Sequence, residues 1–592
     1  MSNPEILALK QHMLTLAQQG QFKEAKAKAK RILARAPNDK QTHLILAKIE
    51  LALGNKDKAI AAFKASLGRE EKHHLQAVSS IAGLSVQMEK YDQTLAFAKE
   101  WVDLQPQSSD AHYLLSFAAW KTRKLDIAEQ HAFRASELDP GNLDIKATYA
   151  EICTHLGKHR EARTHFEQLL DKGASARAMH RYLQSLNFDT SISDKQVFEA
   201  HQSMGEQFEK DITPRISSPA MINNGNRKLR VGFISADFRR HSVAYFFLPL
   251  IRNLDTSLFE TICYADVANE DDISKKIKAS ASKWQSTTTL DNASLADLIQ
   301  KDCVDILIDL SGHTGFAPRL EVFAMKPAPV QISYLGYPNT TGLSRIDYRI
   351  VDAITDPEGK AEALATEKLL RLSPCFLCYD ALDTPEVEDL TIDETLVFGS
   401  FNAYTKITDA MVAVWAQILE RVENSLLYVK AEAFVDKNAA RSLHERFETL
   451  GISPDRLMVE GHKPDRNSHL LEYQRVHLHL DTAPYNGTTT TLEAAWMGVP
   501  SITLCGSSHR SRVGASLLTT LGLSHLIAQS PEEYVAIAVN EAEKLRQQGV
   551  QQRIALRDQM ARSKLMDEHA FGAQFSQLLL NAYDRVGECT TT

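Results

Sequence analysis

The sequence predicts an α-helical solenoid followed by two α/β lobes, each built on a parallel, doubly wound sheet. Three observations carry this. A short mark recurs every 34 or 35 residues through roughly the first 180 positions. After residue 228 the pattern changes to short β-branched runs alternating with helical stretches. A proline- and acid-rich stretch, DALDTPEVEDLTIDE at 380–394, then divides those runs into two sets. A chain of 592 residues with 44% hydrophobic content can bury more than one core, so three or four domains are expected. The boundaries read as a repeat superhelix at 1–180, a helical linker at 181–227, a first lobe at 228–385 and a second at 386–592.

The repeat is visible as GQFKEA, GNKDKA, EKYDQT, RKLDIA and GKHREA, whose last positions are Ala25, Ala59, Thr94, Ala128 and Ala162. Twelve residues beyond each mark stands Pro37, Glu71, Pro106, Pro140 or Ala174. Each unit carries two amphipathic helical patterns, with small residues for close approach and, in three units, proline where the second helix stops. This period and layout resemble tetratricopeptide repeats, about five of them. Such units bury their apolar faces by stacking, and the stack offers a groove for an extended peptide. Basic clusters such as KEAKAKAKR read as solvated helix faces. Residues 181–213 continue helical without the mark, and TPRISSPAMINNGNRK breaks the pattern with two prolines and an Asn-Gly turn.

The lobes follow in order. LRVGFISADF, ETICYAD, VDILIDLS, VQISYLG and YRIVDA read as strands of the first, and LVFGSF, SLLYVKA, RLMVEG, VHLHLDT and SITLCG as strands of the second. Continuous apolar strands separated by helices mean parallel sheets covered on both faces. Two such lobes place the carboxyl ends of their strands around one cleft. The run NGTTTTLEAAW, from Asn486, follows a strand and opens a helix, so backbone N–H groups and hydroxyls gather where a diphosphate binds well. Thr490 with Glu493 also fits the S/T-x-x-E capping pattern, which leaves Thr488, Thr489 and the Asn486-Gly487 turn to be explained by a ligand.

Composition excludes other classes. Lys and Arg total 67 against 75 Asp and Glu, a net charge of -8, so nothing global attracts nucleic acid or an anionic membrane. MSNPEILALKQHM lacks the pattern of a secretory leader, and no stretch reaches 18 apolar residues, so the reading is soluble and cytoplasmic. Seven scattered cysteines are no disulfide framework. Cys375 and Cys378 form a CxxC without a second ligand pair and read as structural. His477 and His479 alternate on a strand and read as packing, since two ligands lack a third.

Five ordered blocks carry a family resemblance: RVGFISADFRRHSVAYFFLPLI, GHTGFAPRLEVFAMKPAPVQISYLGYPNTTGLSRIDYRIVD, RLSPCFLCY, FGSFNAYTKIT and LDTAPYNGTTTTLEAAWMGVPSITLCGSSHRSRVGASLLTTLGL. Over roughly 228–585 they resemble the catalytic region of protein O-GlcNAc transferases, most closely the SPINDLY branch. The resemblance implies a GT-B fold of glycosyltransferase family 41, inverting, needing no metal or other cofactor, and acting on Ser or Thr hydroxyls of proteins. The expected partners are a protein acceptor held by the repeat groove and a nucleotide-sugar; stacked helices also allow a homo-oligomer.

Residue by residue, the resemblance gives Lys406 the leaving diphosphate and gives Thr489 and Thr490 the donors beside it. Glu493 takes the place of a family aspartate that meets the ribose, and His469 that of the residue stacked on the base. His241 matches a histidine proposed as general base or acceptor-positioning group, and histidine suits proton transfer near neutrality. Asp297 aligns with an acidic residue also proposed for the proton, and its helical setting ranks it below His241. His313, at a strand's carboxyl end, is a second cleft candidate. Two departures bear on the donor: Glu472 replaces an arginine that reads uracil, and Thr488 replaces a histidine. Both point away from UDP-GlcNAc, and the SPINDLY-like blocks GYPNTTG, CFLCY and NGTTTT imply GDP-fucose, with Glu472 as an acceptor for guanine N–H groups. Two alternatives stay open at this point: a repeat scaffold with a silent catalytic domain, and a glycan or small-molecule transferase.

Overall fold

The computed structural model describes residues 4–68, 70–216, 227–315, 318–382, 384–392, 395–463 and 465–588. They divide into two compact units, Met1–Cys153 and Thr154–Thr592.

The first unit is a run of antiparallel helix pairs: Pro4–Gln18 with Phe22–Arg35, Lys40–Ala52 with Lys56–Ser66, Glu71–Gln87 with Tyr91–Leu104, and Ser109–Lys121 with Leu125–Leu138. The recurring mark has a packing cause. Ala25, Ala59, Thr94 and Ala128 each stand fourth in the second helix of a pair, and each is fully buried. A larger side chain there would push neighbouring helices apart. The prolines act just past the helix ends. Ala36, Gln105 and Asp139 each precede a proline and share φ near -136, -136 and -130° with ψ of 76, 77 and 78°. The proline ring forbids the α region to the residue before it, so the helix stops there. Glu71 instead opens the next helix.

The second unit begins inside the repeat pattern. Its helix His159–Leu170 carries the fifth mark, Ala162, buried like the others. Helices Ala176–Leu186 and Asp194–Glu209 follow and pack on the lobes. Glu209 accepts hydrogen bonds from Ser344 Oγ at 2.6 Å and Arg345 N at 2.9 Å. A Cβ on Gly205 would lie 1.9 Å from the Gly342 carbonyl oxygen, so the backbones touch. The segment expected as a linker at 181–227 is therefore packed helix through Glu209; residues 217–226 lie outside the described residues.

The first sheet contains β1 (Leu229–Ser235), β2 (Phe259–Ala265), β3 (Lys283–Ser286), β4 (Ile306–Asp309), β5 (Val330–Ser333), β6 (Tyr348–Asp352) and β7 (Lys368–Leu372). All pairs are parallel, in the order β3-β2-β1-β4-β5-β6-β7. After the short β8 (Leu390–Thr391), the second sheet contains β9 (Leu396–Ser400), β10 (Ser425–Lys430), β11 (Leu457–Glu460), β12 (Leu478–Leu480), β13 (Ser501–Leu504) and β14 (Ile527–Ala528). It too is parallel, in the order β11-β10-β9-β12-β13-β14. β15 (Val550–Gln551) pairs antiparallel with β8. The order reverses between β1 and β4 in one sheet and between β9 and β12 in the other. Ligands of open α/β sheets bind at such reversals.

One boundary differs from expectation. The last helix, Glu568–Glu588, leaves the second lobe and packs on the first. The ring of Phe575 stands 5.2 Å from that of Tyr334, and Ser576 Oγ accepts from Asp255 N at 3.2 Å. A Cβ on Gly572 would lie 2.2 Å from Asn253 O. The apolar stripe of this helix, Phe571, Phe575, Leu579 and Tyr583, completes the core beneath the first sheet. Among the described residues no helix is long and apolar enough to cross a membrane.

Candidate active site

A cleft of about 500 Å³ opens between the lobes, and much of its lining comes from the loops after the four strands at the two reversals. His241 follows β1, Thr314 and Gly315 follow β4, Asn402 and Lys406 follow β9, and Tyr485 with Thr488, Thr489 and Thr490 follow β12. Helix Ala176–Leu186 adds Gln184.

Lys406 ends a short 3₁₀ turn, Tyr404–Lys406. Its Nζ donates to Asn486 O at 2.9 Å and lies 3.8 Å from the centre of the Tyr485 ring. Burial lowers its pKa to about 8, against the pull of Asp481. Few solvent molecules then compete for the ammonium, and an anion entering the cleft meets a poorly hydrated positive charge. Tyr485 is stacked in turn on Phe188 at 5.4 Å, which fixes the platform under the lysine.

The threonine run has distinct tasks along its length. Thr488 is the N-cap of helix Thr489–Trp496, and its hydroxyl makes no cap bond. Thr490 Oγ1 donates to Asn402 Oδ1 at 3.1 Å, and Thr491 Oγ1 folds back on Gly487 O at 3.0 Å. The Thr490–Glu493 capping box does not form, because Glu493 turns to His469. The turn ahead of the helix is anchored by the fully buried Asp481, whose Oδ1 accepts from Gly487 N at 2.6 Å and Thr482 N at 2.8 Å. Burial raises the Asp481 pKa to about 6 against those donors and Lys406. Gly487 has no room for a side chain: a Cβ would stand 2.2 Å from Thr490 Oγ1 and 2.8 Å from Asn402 Oδ1. Asn486 is buried beneath the turn, donating to Thr482 O at 2.8 Å.

His241 is the N-cap of helix Ser242–Asn253; its Nδ1 accepts from Val243 N at 3.4 Å and lies 3.6 Å from Asp237 Oδ2. Its recessed position lowers the pKa, Asp237 opposes this and Arg239 adds to it.

His469 and Glu493 lie beside the cleft rather than on its lining. Lys430 Nζ donates to His469 Nδ1 at 2.7 Å, and an ammonium accepts nothing. The proton of the neutral ring therefore sits on Nε2, 3.1 Å from Glu493 Oε2. Burial lowers the pKa of Lys430, too, to about 8.

The sequence profile described as Glycosyl transferase family 41 matches residues 206–386 and 387–575. The chain belongs to glycosyl transferase family 41. A tetratricopeptide-repeat profile matches residues 12–72. Curated relatives include the Arabidopsis thaliana protein named "Probable UDP-N-acetylglucosamine--peptide N-acetylglucosaminyltransferase SPINDLY". It is 34% identical over 422 residues, covering 69% of this chain and 45% of the relative. The protein of the same name from Oryza sativa subsp. japonica is 36% identical over 419 residues, covering 69% and 44%. The chain spans less than half the length of these relatives. Among solved structures, a lysine-to-methionine mutant of the Thermobaculum terrenum O-GlcNAc transferase superposes with a TM-score of 0.81 at 28% identity, covering 88% of this chain and 100% of that one.

For this member of glycosyl transferase family 41, two sequence expectations need correction. His313 does not reach the cleft. It is fully buried, with Nδ1 2.7 Å from His180 Nδ1 and Nε2 2.8 Å from Thr341 O, and it anchors the loop whose next residue, Thr314, does line the cleft. Glu472 is not free to read a base, because Tyr428 and Arg475 each donate to it at 2.8 Å and Lys463 at 3.0 Å. Asp297, ranked below His241 for its surface-like helical setting, is indeed exposed and paired with Arg215. The structural readings of the other motifs agree with the geometry. Cys375 and Cys378 are buried thiols whose pKa values burial raises, that of Cys378 to about 12. His477 Nδ1 accepts from Val397 N at 2.9 Å and His479 Nδ1 meets Ser501 Oγ at 2.9 Å. Sequence reasoning missed Asp481, Asn402, Tyr485, Lys430, Gln184 and His509, which meet the site from across the fold.

Proposed function

We propose that the chain is an inverting protein O-glycosyltransferase that moves a sugar from a nucleoside diphosphate to Ser or Thr hydroxyls of proteins without a metal. The observation that carries the reading is the convergence of Lys406 and the Thr488–Thr490 helix start on one cleft between the lobes. As the bond from sugar C1 to the phosphate oxygen breaks, negative charge grows on the diphosphate, and Lys406 with the N–H groups of the threonine loop stabilises it. His241 sits on the opposite lobe, where the acceptor hydroxyl is oriented or deprotonated. His469, Asn486, Gly487 and Glu493 shape the donor side. The repeats hold the acceptor protein, and the enzyme works in the cytoplasm.

GDP-fucose is the donor proposed first, on the absence of a uracil-reading arginine at Glu472 and of a histidine at Thr488. The relatives' printed names favour UDP-GlcNAc as the second reading. Incubation of host lysate with each donor, read by intact and peptide mass, separates deoxyhexose from N-acetylhexosamine addition. Replacing Lys406 by Ala lowers turnover roughly 10²–10³-fold in this reading. Full activity in that variant sinks it.

A further inference from the structure

His509 stands on the cleft lining, as His241 does, but is buried and held by a much shorter contact to a carboxylate. It opens the short turn His509–Ser511 between β13 and helix Val513–Thr520, and Ser508 and Ser511 close a capping box around it. Its Nδ1 lies 2.6 Å from Asp356 Oδ2, both residues are buried, and the edge of the ring meets Phe376 at 5.2 Å. Asp356 comes from the first lobe, just past β6, with Arg349 3.8 Å from its other oxygen. Burial alone would raise the Asp356 carboxyl, but His509 and Arg349 hold it well below the usual carboxylate range. A carboxylate only accepts, so the proton of the neutral imidazole sits on Nδ1 and the lone pair on Nε2. No described residue makes a hydrogen bond to Nε2.

His241 is held less firmly. Its Nδ1 lies 3.4 Å from Val243 N and 3.6 Å from Asp237 Oδ2, so no short bond fixes the proton on one ring nitrogen. A ring so loosely tied is less well oriented as a base than one anchored on a carboxylate at 2.6 Å.

We propose that His509, oriented by Asp356, is the general base of the reaction, and that His241 positions the substrate. This rests on the glycosyl-transfer reading above. In the step, the acceptor oxygen forms its bond to sugar C1 while its proton passes to His509 Nε2. The C1–O bond to the diphosphate breaks with its electron pair leaving on the diphosphate, beside Lys406. His509 ends as an imidazolium against Asp356 and then releases its proton to solvent, so charge and atoms balance. Asp356 acts through His509 and is a positioning residue.

The test measures kcat and KM for transfer, together with GDP and UDP affinity by calorimetry, in the full chain and in His509→Ala and Asp356→Asn. His509→Ala lowers kcat on the order of 10²–10⁴-fold, leaves nucleotide affinity within about threefold of the parent, and regains turnover with added imidazole. Asp356→Asn lowers kcat with little change in KM. Turnover of His509→Ala near the parent level overturns the proposal. So does a loss that imidazole does not rescue and that a matching loss of nucleotide affinity explains. A parent that consumes neither donor sinks the glycosyl-transfer reading itself, whereas an active parent with an equally active His509→Ala sinks this proposal alone.

Discussion

At the scale of single residues, the site depends on a poorly solvated cation facing a turn with no spare volume. Lys406 has to be charged to stabilise a diphosphate, and its pKa lies near 8 instead of 10.5. Its charged form is present below that value and lost above it. The account therefore expects kcat/KM to fall as pH rises through about 8, and the fall to disappear from the residual activity of Lys406→Ala. Gly487 tests the turn. A methyl group there collides with Thr490 Oγ1 and Asn402 Oδ1, which displaces the loop and lowers kcat/KM on the order of 10²-fold. Steady-state rates check both. The threonine loop was legible from its place between a strand and a helix start, whereas Lys406 and His241 were named through the family resemblance of the blocks that hold them. Asp481 was visible only as the end of VHLHLDT, and nothing local says that its carboxylate ties down Gly487 six residues later. His509 was less legible still, since its partner Asp356 lies 153 residues away.

At the scale of elements, the repeat clock measures how closely helices approach. Ala128 is fully buried in the first turn of its helix, and Ala128→Leu forces extra volume into that contact. Urea unfolding is expected to show a loss of about 1–3 kcal/mol for the first unit, with nucleotide binding unchanged. The strands divide by their patterning. Those with continuous apolar runs were read correctly, whereas β3, β7, β8, β14 and β15 were missed. β3 is a half-exposed edge strand reading KWQS, β7 sets Lys and Arg among leucines as KLLRL, and β8, β14 and β15 have two residues each. Their pairing comes from the neighbouring strand, which a single sequence does not display.

At the scale of the whole molecule, the compact units do not follow the sequence boundaries. The repeat period runs through the division at Cys153 and Thr154, so residues 154–209 look like solenoid and linker in sequence yet pack with the lobes. Two truncations separate these views. The fragment 154–592 is expected to bind GDP or UDP like the full chain, while a fragment beginning at 181 loses His180 and the helix His159–Leu170 and melts at a lower temperature. Calorimetry and thermal denaturation read the difference. Truncation before Glu568 acts from the other end, because it strips Phe571, Phe575 and Leu579 from the core under the first sheet. Chain order assigned those residues to the second lobe, since an apolar stripe does not name the surface it packs against.

The expectations for catalysis require the diphosphate to sit between Lys406 and the start of helix Thr489–Trp496. A structure of the chain with GDP or UDP bound measures this directly. The account predicts phosphate oxygens within hydrogen-bond reach of Lys406 Nζ and of the Thr489 and Thr490 N–H groups. Phosphates bound elsewhere, with Lys406 still held on Asn486 O, would contradict it.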